Sequence, residues 1–379
     1  MRTTRFGQLD WQASVLGFGA MRLPRIDDDP GRIDEPEAIR MMRYAIDHGV
    51  NYVDTAYPYH RGTSEGLVAK VLRDGYRERV KLATKLPCWL VKEVGDFDRY
   101  LNEQLERLET TEIDLYLLHG LGEERWTAMR DMKVLDWAER AMADGRIGYL
   151  GFSFHDKVEI FEEIIDHYDR WTFCQIQYNY MDEEHQAGTR GLKYAADKGL
   201  AVVVMEPVRG GRLAHNLPPE VLDQWKSATT QRSPAEWALR WVWDHPEVSV
   251  VLSGMSTMEQ VVENVAIASE SGPGTLTADE MELIGRVRDT FRELAPIPCT
   301  DCQYCLPCPN GVSIPQILAL YNDTMMYHDH NRSRLQYSWI AEGERADACI
   351  ACGDCEAVCP QSIAIIDWLE KTHELLGAE

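Results

Sequence analysis

Residues 50–56 read VNYVDTA, an apolar run of strand length that ends near a charged residue, Asp54, and is followed by a stretch of helical periodicity. The pattern recurs in SVLGFG (14–19), VKLATKL (80–86), IDLYLLH (113–119), IGYLGFSF (147–154), FCQIQYN (173–179), LAVVVMEP (200–207) and VSVVLSG (248–254), giving eight strand–helix units. Near-continuous apolar strands separated by helices belong to parallel sheets covered on both faces, and eight repeats over about 250 residues predict closure into a (β/α)8 TIM barrel. A doubly wound sheet is the alternative, but its G-x-G-x-x-G turn is missing, since LGFGAMR after the first strand offers only Gly17 and Gly19. Helix-stop glycines close DHG (47–49), ADG (143–145) and DKG (197–199). Ahead of the barrel, MRTTRFGQLDWQ reads as a hairpin that would plug its lower end.

The chain has 379 residues, more than a single core usually holds, which predicts one large domain and a small one. A helix around Ala278–Leu294 is followed by APIPCTDC, whose two prolines break helicity, so the expected division is a barrel over 1–295 and a second domain over 296–379. A formal charge of −23 and the lack of a basic stripe argue against nucleic acid as a partner. The N-terminal residues contain no apolar core of a signal peptide, and no apolar run is long enough to cross a bilayer. The expectation is a cytoplasmic protein with no membrane partner.

In such a barrel the chemistry collects where strands end. Three consecutive strands end on polar residues: Asp54, with Tyr59 five residues on, then Lys85, then His119. DTAYPY followed by SE, then LATK, then DLYLLH resembles the aldo-keto reductase family over about residues 1–290. The resemblance implies that Tyr59 is the general acid that protonates a carbonyl oxygen as hydride arrives. A free phenol, with a pKa near ~10, is a weak acid at neutral pH and needs a cation nearby. Lys85 is expected to lower that pKa, Asp54 to keep Lys85 charged, and His119 to hydrogen-bond and orient the substrate oxygen.

The resemblance also implies a nicotinamide pocket, with NADPH or NADH as cofactor, from Ser153, Gln177, Asn179, Met205, Gly210, Gly211, Gly254, Gln260, Glu263 and Asn264. Three departures stand out. The family's Ser-Asn pair is Ser153-Phe154 here, with His155 next; Met205 stands where an aromatic ring commonly stacks on the nicotinamide; and the basic residues that clamp the 2′-phosphate of NADPH align with Gly254 and Gln260, neither charged.

Eight of the ten cysteines crowd into the last 81 residues, a spacing for metal ligation rather than disulfides. Cys349-x2-Cys352-x2-Cys355-x3-Cys359-Pro360 has the bacterial ferredoxin spacing, and Cys299-x2-Cys302-x2-Cys305-x2-Cys308-Pro309 is the same motif one residue shorter. Four-cysteine zinc sites place their pairs farther apart. Two 4Fe-4S clusters are expected. Because the cysteine before the proline usually ligates the other cluster, the expected sets are Cys299, Cys302, Cys305 and Cys359 against Cys349, Cys352, Cys355 and Cys308, with self-contained ligation as the alternative. The intervening residues read as helical, so the domain is expected to be a mainly helical two-cluster ferredoxin. Cys88 and Cys174 read as core residues. The whole chain resembles iron–sulfur oxidoreductases of the aldo-keto reductase superfamily.

A nicotinamide delivers two electrons as hydride whereas a cubane takes one, a mismatch that a flavin would resolve, though no motif announces one. The expected function is reduction of a small-molecule carbonyl, or oxidation of an alcohol, with the clusters exchanging electrons with a carrier protein. The alternative is an electron-transfer or redox-sensing protein that keeps the barrel as a scaffold.

Overall fold

The computed structural model describes residues 1–27 and 29–377, which form two compact units. The first takes in Met1–Arg209 and Glu236–Thr277. Its first two strands, β1 (Thr3–Arg5) and β2 (Gln12–Ser14), pair antiparallel as the expected hairpin. The eight expected strands follow: β3 (Leu16–Gly19), β4 (Tyr52–Asp54), β5 (Lys81–Leu86), β6 (Ile113–Leu121), β7 (Ile147–Phe154), β8 (Phe173–Gln177), β9 (Ala201–Met205) and β10 (Val248–Ser253). They close as a parallel barrel in the order β10-β3-β4-β5-β6-β7-β8-β9.

These strands are buried on both faces because side chains alternate between the barrel interior and the surrounding helices. Inside, Tyr52, Ala83, Leu115, Phe173, Val203 and Val250 pack together with Phe6 and Ala13 of the hairpin. Gly7 shows why the hairpin fits at the strands' N-terminal end: a Cβ there would lie 2.6 Å from the backbone nitrogen of Ala201, the first residue of β9. The helices outside present apolar stripes, as in α1 (Glu35–Asp47), which buries Met41, Met42, Ala45 and Ile46 and is capped by the Asp34 side chain. Gly145 and Gly199 end the helices before β7 and β9 with φ of 84° and 82°, as the helix-stop reading requires.

The second unit takes in Gly210–Ala235 and the chain from Ala278 onward. By contacts it takes in residues 210–235 and the helix from Ala278 as well as the residues after 295. Helix α8 (Pro219–Lys226) packs on α11 (Ala278–Glu293). The buried Arg212 guanidinium reaches Asp323, Asp329 and Ser333 on or beside α12 (Ile314–Tyr327) and α13 (His330–Ser338). A buried arginine needs such partners, and no local pattern in residues 210–235 reveals them. The unit's apolar core joins Ile297, Val312, Ile314, Ile317 and Leu318 to Leu369 and Leu376 of α15 (Ile365–Leu376), and six of the cysteines pack against it. Asn322 fixes the entry to the first cysteine loop, accepting from Ile297 N at 3.0 Å and donating to Ile297 O at 2.8 Å. Among the described residues no helix is long and apolar enough to cross a membrane.

Candidate functional site

Asp54, Lys85 and His119 lie at the C-terminal ends of the adjacent strands β4, β5 and β6, and Tyr59 follows β4 in a short 3-10 turn. The structure brings all four together. Lys85 Nζ donates to Asp54 Oδ1 at 2.5 Å, to Thr55 O at 2.9 Å and to Tyr59 Oη at 3.3 Å. The Tyr59 and His119 rings meet edge to face at 6.0 Å.

Burial opposes the charge on Lys85, but Asp54 and Tyr59 more than offset it and hold the ammonium pKa above its ordinary value. For Tyr59 the balance falls the other way. Burial raises its pKa, the pull of Lys85 only partly compensates, and the phenol stays above its usual 10.0. Lys85 does draw the phenol down, as its charge requires, but desolvation outweighs that pull. Burial, then the charges of Lys85, His155 and Arg125, push His119 well below 6.5, so its ring is neutral at pH 7. Among the described residues its buried Nδ1 has no hydrogen-bond partner.

Ser153 and Gln175 are paired across β7 and β8. Ser153 Oγ accepts from Gly120 N at 2.7 Å, one residue beyond His119, and Gln175 Nε2 lies 3.4 Å from Asp54 Oδ2. The sequence reading passed over Gln175; the signal was its place two residues before Gln177 on the same strand face. Gln177 and Asn179 donate to Asp182 Oδ2 at 2.7 and 2.9 Å. Met205 ends β9.

Gly254 follows β10, where Arg22 crosses it closely, and Gln260 Oε1 accepts from Ser256 N at 2.8 Å. On α10 (Met258–Glu270), Asn264 is buried against Ser253 Oγ at 3.1 Å and Glu263 is half-buried. Gly210 and Gly211 belong to the second unit, with φ of 65° and 99°. Arg125 and Trp89 escaped the sequence reading. The guanidinium lies 5.7 Å from the Trp89 ring centroid, and Trp89 meets the His119 ring at 5.0 Å.

In the second unit the cysteines line two recesses. One is lined by Cys308, Cys349, Cys352 and Cys355, the other by Cys299, Cys302, Cys305 and Cys359. Ile314 borders both. Thiolate-only donor sets of this kind suit soft iron centres. Burial raises the Cys299 and Cys305 thiols, and neighbouring thiols including Cys359 raise them further. Cys88 and Cys174 are buried in the barrel, with the Cys88 thiol pushed up to about 12 by burial, and both are inert there.

The sequence profile of the aldo/keto reductase family matches residues 15–288, and that of a 4Fe-4S dicluster domain matches residues 298–364. The chain is 26% identical to L-galactose dehydrogenase of Arabidopsis thaliana over 77% of this chain and 92% of that protein. It is 25% identical to the NADH-specific methylglyoxal reductase of Escherichia coli over 70% of this chain and 93% of that protein. A solved aldo-keto reductase of Bacillus halodurans superposes with a TM-score of 0.62 at 30% identity, covering 76% of this chain and 96% of that one. The chain belongs to the aldo/keto reductase family of oxidoreductases and carries a 4Fe-4S dicluster domain.

Proposed function

We propose that the chain reduces the carbonyl group of a small molecule, or oxidises the corresponding alcohol, with Tyr59 as the proton donor and with two 4Fe-4S clusters that exchange electrons with a carrier protein. The observation that carries this reading is the direction of the hydrogen bonds around Lys85. An ammonium has three donors and no acceptor, and Asp54, Thr55 and Tyr59 take one each. Tyr59 Oη is therefore an acceptor toward Lys85, and its own proton remains to point at a ligand.

Burial keeps the phenol protonated in the resting site, and the neighbouring ammonium stabilises the negative charge that develops on Oη as the proton leaves. His119 is neutral, and a bare, buried Nδ1 costs less without a partner than a buried N–H would, which favours the tautomer with its proton on Nε2. That proton can hold the substrate oxygen in line with Tyr59. Asp54, Lys85 and the Ser153–Gln175 pair position these two groups, and Ser153 and Gln175 offer polar partners for an amide such as the nicotinamide carboxamide. A bound nicotinamide supplies the hydride and bound cubanes exchange single electrons. Uncharged Gly254 and Gln260, with the likeness to an NADH-specific relative, favour NADH over NADPH.

For the clusters, the two recesses support crossed ligation: Cys299, Cys302, Cys305 and Cys359 in one set, Cys349, Cys352, Cys355 and Cys308 in the other. An anaerobic titration with NADH, NADPH and dithionite, followed by visible and paramagnetic spectroscopy, tests the reading. Iron–sulfur bleaching by dithionite together with coenzyme binding to the same preparation is expected. A colourless protein prepared without oxygen, or one that binds neither coenzyme, would contradict it.

A further inference from the structure

We infer that Arg125 selects carbonyl substrates that carry a carboxylate, gripping that group while Tyr59 and His119 hold the carbonyl, with Trp89 as the apolar wall between the two ends. The inference deepens the carbonyl-reduction reading above and rests on it.

Three adjacent strands bring these residues together. In the closed barrel β5 lies between β4 and β6. Tyr59 follows β4, Trp89 stands in the turn Cys88–Leu90 after β5, and His119 lies near the end of β6. Arg125 sits in the first turn of α4 (Glu123–Asp131), which only Gly122 separates from β6. So short a connection folds the guanidinium back over the strand end, where Nη1 donates to Gly120 O at 2.7 Å. Gly120, at φ 65°, permits that approach, since a Cβ there would lie 3.1 Å from Arg125 Nη1. The Trp89 ring fills the interval, its centroid 5.0 Å from that of His119 and 5.7 Å from the guanidinium carbon.

Four observations mark this as a ligand contact rather than a brace alone. A guanidinium carries five N–H donors, and among the described residues Arg125 places one on the neutral Gly120 O and pairs with no carboxylate. Arg125 is exposed, and Trp89 is 42% exposed beside the reacting groups, which leaves an indole face for a substrate's carbon skeleton. Lys85 cannot serve a second anionic group, because its three donors are taken by Asp54, Thr55 and Tyr59. The charge of Arg125 also reaches the reacting end: after burial, Lys85 and His155, it depresses His119, and it draws on the Cys88 thiol that burial raises to about 12. A planar guanidinium meets a planar carboxylate with two parallel N–H bonds and cancels its single charge. A phosphate dianion would keep an uncancelled charge beside this one cation.

The test compares para-carboxybenzaldehyde with methyl para-formylbenzoate, which share ring and carbonyl and differ in charge, as substrates of the iron–sulfur-loaded protein at saturating coenzyme. The native protein is expected to favour the acid in kcat/KM. Arg125→Gln, which removes the charge and keeps an amide donor, is expected to lower the acid-to-ester ratio about tenfold, the scale of one charge-assisted contact, with the loss carried in KM. Arg125→Lys is expected to recover part of the ratio, because the charge returns without the fork. Equal losses on both aldehydes in Arg125→Gln would leave Arg125 as a brace for Gly120 and overturn the inference. A native protein that reduces both equally well would also overturn it, with carbonyl reduction intact. A preference for para-formylphenyl phosphate over para-carboxybenzaldehyde would overturn the carboxylate assignment. A native protein that reduces none of the three would overturn the inference and the carbonyl reading together.

Discussion

The Lys85 ammonium lies 2.5 Å from Asp54 Oδ1, with each side chain only 1% exposed. A buried pair of this kind adds little net stability over an apolar pair, but removing one partner strands the other charge at a cost of about 3–5 kcal/mol. Lys85→Met is therefore expected to lower the unfolding free energy by roughly that amount. Adding Asp54→Asn to it should recover much of the loss without restoring activity. Denaturant melts of the two variants check this; a Lys85→Met protein as stable as the native one would contradict the ion-pair account.

The pH dependence follows from two shifts of opposite direction. His119 has a folded pKa well below its ordinary 6.5, so below that value the unfolded chain binds a proton that the folded chain does not. Its contribution to stability is present above pH 6.5 and is lost as the pH falls. Tyr59 is raised above 10.0, so its contribution is present below pH 10 and declines as the pH rises beyond it. For activity, both groups hold their working protonation state between those limits. A rate profile of carbonyl reduction showing no ionisation from either group between pH 7 and pH 10 is expected, and a His119-dependent limb centred near 6.5 would contradict it.

Crossed ligation makes a prediction about pairs of cysteines. The native protein should contain about eight irons, and loss of one ligand set should leave about four. Cys299→Ser combined with Cys359→Ser should cost no more iron than the heavier single change, since both thiols border one recess. Cys355→Ser with Cys359→Ser should deplete both centres. Iron and sulfide analysis distinguishes the cases, and the reverse pattern would support self-contained ligation.

The barrel was legible in the sequence because each strand is a short apolar run buried on both faces, and the runs ending in Asp54, Lys85 and His119 carried their polar residues at the chemical end. What escaped were relationships between distant residues. Gln175 looks like any strand polar group until β8 is set near Asp54 by barrel closure. Arg22 and Glu206 are 184 positions apart in the chain, and only the adjacency of β3, β10 and β9 brings them together. Arg212 gave no local sign that residues 210–235 would pack with the helices of the second unit. Spacing revealed the cation beside Tyr59 but not the depth of burial that opposes its pull.

The account depends most on Tyr59 as the source of the proton. Its direct test is single-turnover reduction of a generic aldehyde by Tyr59→Phe under anaerobic conditions, with coenzyme binding measured on the same sample. A fall in the rate of about 10²–10⁴-fold, the range typical of losing a general acid, is expected with coenzyme affinity unchanged. Turnover equal to that of the native protein would contradict it.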